Sequence, residues 1–220
     1  MKKEKKVLKK RLKKAIKKNQ KNIEKNKEKS LLKKTWNFIW YEDSLLSWIV
    51  NVVLAFVIVK FVIYPGLGFV LSTEFPVVAV VSTSMHHDVN FERWWEAKKG
   101  EYSGWRVKKS DFESFKNGFD KGDIMVLIGR ESKDLEVGDV IVYSTGDMKK
   151  NPIIHRIVEK SDDDGYSFQT KGDNNFGQLS FEKSITEEQI IGKAVLRVPY
   201  LGWVKIMFTE SIEGVKNAVL

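Results

Sequence analysis

A chain of 220 residues has room for one globular domain with appendages, and the lack of any cysteine excludes disulfides and thiolate zinc sites. The net charge of +9 belongs to one end of the chain. Residues 1–35 hold 17 Lys and Arg against three Asp and Glu, so the remainder is mildly acidic at −5.

The basic segment carries a sparse apolar stripe, Leu8, Leu12, Ile16 and Ile23, whose spacing near four is that of a nascent helix with a narrow apolar face. Such a lysine block is either solvated and disordered or drawn to anionic lipid headgroups, at roughly 1 kcal/mol per basic residue near the surface. It has no aromatic interleaving or recognition motif, so nucleic acid is not an expected partner. It is also far longer than the n-region of a cleavable signal peptide. Leu45 to Tyr64, LLSWIVNVVLAFVIVKFVIY, has 20 residues, which at ~1.5 Å each match a ~30 Å hydrocarbon core. The expectation is a single transmembrane helix over 45–64, with Lys60 near its far end snorkelling to the headgroups. The basic flank stays cytoplasmic, which places everything after Tyr64 across the membrane. Pro65-Gly66 is expected to break the helix.

Pro76 to Met85, PVVAVVSTSM, reads as a buried strand of β-branched residues ending in three small hydroxyls, Ser82, Thr83 and Ser84. A serine becomes a nucleophile only when a nearby base takes its proton. The candidate base is His155, in the second apolar run, Pro152 to Val158. On these residues alone the alternative is ordinary hydroxyls at a strand end. Between the two runs lies a segment with Trp94, Trp95, Trp105, Phe112, Phe115 and Phe119. The last three fall at i, i+3 and i+7, one face of a helix; the segment either packs on the domain or forms an interfacial foot, because Trp favours the headgroup zone. His86, His87 and Asp88 are consecutive and face different ways, so no metal site is expected. From Asp123 onward short strands alternate with turns: Ile124 to Ile128, Val140 to Tyr143, Ile153 to Val158, Tyr166 to Thr170 and Ile190 to Val198. Thr145-Gly146-Asp147 and Asp162-Asp163-Asp164-Gly165 are the turn signals, the latter a hairpin tip. The pattern indicates a mainly β domain. Tyr200 to Phe208 is apolar but only about half a span.

Several short boxes recur in a fixed order: Ser82-Thr83-Ser84-Met85, Lys121-Gly122-Asp123-Ile124, Val137-Gly138-Asp139-Val140-Ile141-Val142, Ile154-His155-Arg156, Thr170-Lys171-Gly172-Asp173-Asn174-Asn175 and Gly192-Lys193-Ala194. Behind a membrane anchor, this order resembles the type I signal peptidases of the archaeal and endoplasmic-reticulum branch; the eubacterial branch has a lysine where this chain has His155. The resemblance covers about residues 45 to 208, and it is poorest from Met85 to Phe119. It implies a signal-peptidase-like catalytic β domain over 72–208, interrupted by a partly helical, aromatic-rich insertion at 86–119. The lysine-rich tail at 1–35 and one transmembrane helix precede the domain, and a C-terminal tail at 209–220 follows it.

The same resemblance implies a serine endopeptidase that removes signal peptides from preproteins, with no cofactor and no metal; the alternatives are a catalytically inactive signal-peptidase-like membrane protein and a membrane protease for other precursors. Ser84 is then the nucleophile and His155 the general base, and the Ser82 hydroxyl joins the Ser84 backbone N–H in the oxyanion hole. Val78, Val80 and Met85, beside Ser84, are the expected walls of the substrate pockets. Signal peptides, anionic lipids and the secretion translocon are the implied partners, and the implied location is a cell membrane, with the catalytic domain outside. The family's acid commonly stands six positions beyond the aspartate of the Lys-Gly-Asp-Asn-Asn box, but that position here is Leu179. Asp173 itself, ahead of Glu182, is the expected orienting carboxylate; the alternatives are a turn cap or a Ser-His dyad working alone. Arg156, one residue beyond His155, is expected to face the other way and to be structural.

Overall fold

The computed structural model describes residues 2–145, 152–163, 165–204 and 206–207. The expected turn at Gly146-Asp147, the C-terminal tail at 209–220 and Asp164 lie outside them. Two compact units divide the chain, Met1–Ile63 and Tyr64–Leu220.

In the first unit the basic segment is one continuous helix, α1 (Lys2–Tyr41), longer than its lysine block. The apolar run opens at α2 (Leu45–Ile58), where the Ser44 side chain caps the amide of Ser47. Two polar residues of that run reach back to α1: Ser47 Oγ donates to the Phe38 carbonyl at 2.6 Å and Asn51 Nδ2 to that of Ile39 at 2.9 Å. Those carbonyls belong to the last turn of α1, which has no partners within its own helix.

Pro65-Gly66 does not end the apolar helix, contrary to expectation. A π-helical segment, Val59–Ile63, joins α2 to α3 (Tyr64–Val70). Proline lacks an N–H and crowds the carbonyl four residues back; a π turn loosens the ladder at the point where that demand falls. Leu45–Val70 is the one helix among the described residues long and apolar enough to cross a membrane.

The second unit is built on a seven-stranded antiparallel sheet in the order β1-β2-β7-β3-β4-β5-β6. Its strands are β1 (Val77–Ala79), β2 (Ile124–Ile128), β3 (Val140–Tyr143), β4 (Ile153–Ser161), β5 (Ser167–Lys171), β6 (Ile185–Thr186) and β7 (Ile190–Val198). Three of the expected strands have the observed bounds, and β6, only two residues long, was not foreseen. Successive side chains of a strand point to opposite faces, so β3 feeds two cores. Val140 and Val142 join Val80, Met85, Phe119, Met125 and Leu127, whereas Ile141 and Tyr143 join Leu135, Ile157, Phe168 and Ile185.

The 86–119 segment forms a third core. Phe91, Trp94, Tyr102 and Phe112 are buried together against Val158 of β4. The segment therefore packs on the domain rather than offering its aromatic rings as an interfacial foot. Its one α-helix is α4 (Phe91–Lys98), capped by the Asn90 side chain. The expected helix through Phe112, Phe115 and Phe119 is absent. Phe115 has φ +50, and Phe112 and Phe119 enter different cores.

Candidate active site

β1 ends before the hydroxyl cluster. Val80 continues the pairing through its amide to Asp123 O, after which Thr83 to His86 form a tight turn closed by His86 N to Thr83 O at 3.0 Å. That turn, rather than strand alternation, brings Ser82 Oγ to 3.1 Å from Ser84 Oγ. Ser84 is half-buried and Ser82 exposed.

His155 lies on β4 directly opposite Ile141 of β3. Its Nε2 is 2.9 Å from Ser84 Oγ and its Nδ1 2.5 Å from Glu182 Oε1. The imidazole is 5% exposed and Glu182 fully buried. Glu182 ends a 3-10 turn, Ser180–Glu182, and its second oxygen accepts the Leu179 amide at 2.6 Å. Both carboxylate oxygens are thus committed. A carboxylate can only accept, so Nδ1 carries the proton and Nε2 presents a lone pair to the serine hydroxyl.

Asp173 is placed elsewhere. It is fully buried, and its oxygens accept from Arg156 Nε at 3.0 Å and Nη2 at 2.8 Å, from His87 Nε2 at 3.0 Å and from Tyr102 Oη at 3.3 Å. The sheet explains why it does not meet His155. Arg156 pairs with Lys171 across β4 and β5, and directly opposed residues share a face. By the same register Gly172 falls on the His155 face and Asp173 returns to the Arg156 face. Glycine has no side chain to offer, so the carboxylate that meets the imidazole comes from the following loop. Burial alone would raise the Asp173 pKa, but the Arg156 guanidinium and the His87 hydrogen bond hold it down at about 2. Arg156 faces away from His155, as expected. Its guanidinium lies over the Phe112 ring and also donates to the Ser114, Phe115 and Gly138 carbonyls.

Gly172 itself lies against the pair. A Cβ there would stand 2.9 Å from both His155 Nε2 and the Ser84 carbonyl. The next residue fastens the turn: Asn174 N donates to Ser84 O at 2.7 Å and its side chain to Thr83 O at 3.2 Å.

The expected pocket walls need correction. Val80 and Met85 are 2% and 1% exposed and face the core; Val78 is half-buried against the same cluster. With Ser84 turned toward His155, its neighbour Met85 points the other way. The apolar residues close in sequence to the site that stay exposed are Val81, Phe176 and Leu179.

No family model matches the chain. It is similar to the signal peptidase complex catalytic subunit SEC11 of several fungi. It is 35% identical to that of Fusarium vanettenii over 104 residues, which are 44% of this chain and 60% of the relative. With that of Zygosaccharomyces rouxii the identity is 36% over 106 residues, 44% of this chain and 62% of the relative. A longer alignment, to that of Lachancea thermotolerans, covers 69% of this chain and 76% of the relative at 29% identity. The resemblance to the endoplasmic-reticulum and archaeal branch of the type I signal peptidases is thereby borne out. The alignments to the Fusarium and Zygosaccharomyces subunits span only about three fifths of those relatives' length. Sequence reasoning passed over Glu101 and Tyr102, and it did not pair His87 with Asp173. Adjacent histidines after Ser84-Met85 were the available signal, and they were weighed only as metal ligands. Glu182 was considered, but second to Asp173.

Proposed function

We propose that the chain is a membrane-anchored serine endopeptidase that removes signal peptides from exported preproteins, with Ser84, His155 and Glu182 as its reacting group. The observation that carries the reading is the unbroken line from Ser84 Oγ through His155 to Glu182, 2.9 Å and 2.5 Å. Ser84 attacks the scissile carbonyl while its proton passes to His155 Nε2. Glu182 holds the tautomer that leaves Nε2 free and stabilises the imidazolium that forms. The imidazolium then returns its proton to the leaving amine. Water, deprotonated in turn by His155, releases the acyl group from Ser84. The Ser82 hydroxyl and the Ser84 backbone N–H are the donors for the oxyanion, in a place where one donor is worth roughly 10²–10³ in rate.

The substrate is a signal peptide extended along the open edge of β1, the outer strand of the sheet, where main-chain hydrogen bonds give affinity and small residues near the cut are read. Leu45–Val70 tethers the domain to the bilayer; the lysine-rich α1 remains cytoplasmic, against anionic headgroups. The test is cleavage of a preprotein by the full chain in liposomes. Wild type should cleave next to small residues and Ser84→Ala should not. Cleavage by folded Ser84→Ala at the wild-type rate would overturn the assignment.

A further inference from the structure

The 86–119 segment departs most from the resemblance, yet it starts and ends at the nucleophile's turn. Its second residue, His87, follows Ser84 by three residues, and on its return Phe119 N donates to Met85 O at 3.0 Å. Gly118, at φ +65, closes this base: a Cβ would stand 2.3 Å from Met85 O and 2.8 Å from the His87 ring.

From that base the segment reaches the strand end that carries Gly172. The His87 side chain is fully buried, stacked on Trp94 at 3.8 Å between centroids and 8° between planes. Its Nε2–H points at Asp173, and its Nδ1 has no hydrogen-bond partner among the described residues. A buried nitrogen left unsatisfied is costly, so the ring is held there for the bond its other nitrogen makes. Tyr102 adds a second donor to Asp173. Burial and the Asp173 charge raise its phenol well above the usual range, keeping it an O–H. Glu101 pairs with buried Lys171 at 3.1 Å, and Trp105 Nε1 donates to Gln169 of β5. Ser114 and Phe115 lend their carbonyls to Arg156, the neighbour of His155.

We propose that the 86–119 segment is a brace for the reacting group, with His87 its principal positioning residue, fixing Lys171–Asn174 against Ser84 and His155. The inference rests on the reading of Ser84, His155 and Glu182 given above. Asp173 is the joint of the brace. Each oxygen of its carboxylate is shared between Arg156 from the sheet and one donor from the segment, Oδ1 with Tyr102 and Oδ2 with His87. Released from His87, the strand end shifts, and with it Gly172 over the imidazole and Asn174 on the Ser84 carbonyl. A displacement of that kind, far from the bond being broken, costs about 10- to 100-fold in rate.

Two substitutions separate the two things His87 does. His87→Phe keeps the stack on Trp94 and removes the donor; His87→Gln keeps an N–H donor near the Nε2 position and loses the stack. The readouts are single-turnover cleavage by the full chain in detergent, thermal melting, and ¹⁵N-histidine NMR. The chain has three histidines, so the His155 and His86 imidazole signals are assignable. His87→Phe should lower kcat at least tenfold with KM within twofold, and should move the His155 signals but not those of His86. His87→Gln should recover most of the rate. Wild-type kcat with unmoved His155 signals in folded His87→Phe overturns the proposal, as does a rise in KM alone. If His87→Phe does not fold, Tyr102→Phe decides: a severalfold loss of kcat with moved His155 signals supports the brace, and wild-type behaviour overturns it. If wild type cleaves no preprotein, the peptidase reading has failed, but NMR still decides the brace. His155 signals that move in His87→Phe support it, and signals that stay put overturn it.

Discussion

Replacing Glu182 by glutamine tests which carboxylate orients the base. The structure predicts the consequence atom by atom. Leu179 N–H points at one oxygen of Glu182 and His155 Nδ1 at the other. A glutamine has one acceptor, and the backbone amide, which cannot rotate away, claims it. The new NH₂ then faces Nδ1, which must become an acceptor, moving the imidazole proton to Nε2. That tautomer cannot take the Ser84 proton. A wrong tautomer in such a triad costs on the order of 10²–10⁴ in rate, or about 3–5 kcal/mol in the barrier. Packing is preserved because the two side chains have nearly the same volume, so melting should change little. Asp173→Asn should differ in its melt: it strands the buried Arg156 guanidinium, a loss of about 3–5 kcal/mol of stability, and its rate should fall only as far as a loosened brace allows. Single-turnover cleavage of a preprotein in proteoliposomes, with a melt of each variant, distinguishes the two. A folded Glu182→Gln enzyme at the wild-type rate would refute the reasoning. So would an Asp173→Asn enzyme that melts like wild type and has lost its rate, since the orienting acid would then be Asp173.

Three further outcomes are expected. The Asp173 pKa, depressed to about 2 by Arg156 and His87 against the effect of burial, makes its contribution fully present above an unfolded value of about 3.9. That contribution, on the order of 2 kcal/mol, disappears as pH falls through about 2; acid unfolding of Asp173→Asn followed by circular dichroism should show a correspondingly weaker pH dependence between about 4 and 2. Gly172→Ala places a methyl 2.9 Å from His155 Nε2 and from Ser84 O, and should abolish cleavage while His155 signals shift; normal cleavage would mean the strand end yields freely. Protease added outside spheroplasts should remove the β domain and spare a tag at Met1, and protection of the domain would reverse the topology proposed from the charge of residues 1–35.

Composition and local pattern reached far into this chain. Short apolar runs bounded by turn formers marked β2, β3 and β7, because a strand's apolar residues and the turns that end it are both local features. The apolar run from Leu45 could be read by counting, and the face of Arg156 followed from its place beside His155. Segments whose structure depends on distant partners were less legible. Phe112, Phe115 and Phe119 had helical spacing, but Phe112 was pulled into one core and Phe115 and Phe119 into another, and Pro65 was tolerated because a π segment precedes it.

The sequence by itself determined that a hydroxyl cluster follows one β run and a histidine lies within another, both behind one apolar helix. Only the tertiary structure decided which acid completes the group. Asp173 is the nearer to the family's box, and Glu182 lies nine positions later in a polar stretch. Strand register turns Asp173 toward Arg156, and the loop after Gln178 folds back to put Glu182 on His155. A side chain's face follows from its neighbours in sequence, but what waits on that face is set by strands and loops paired across the sheet.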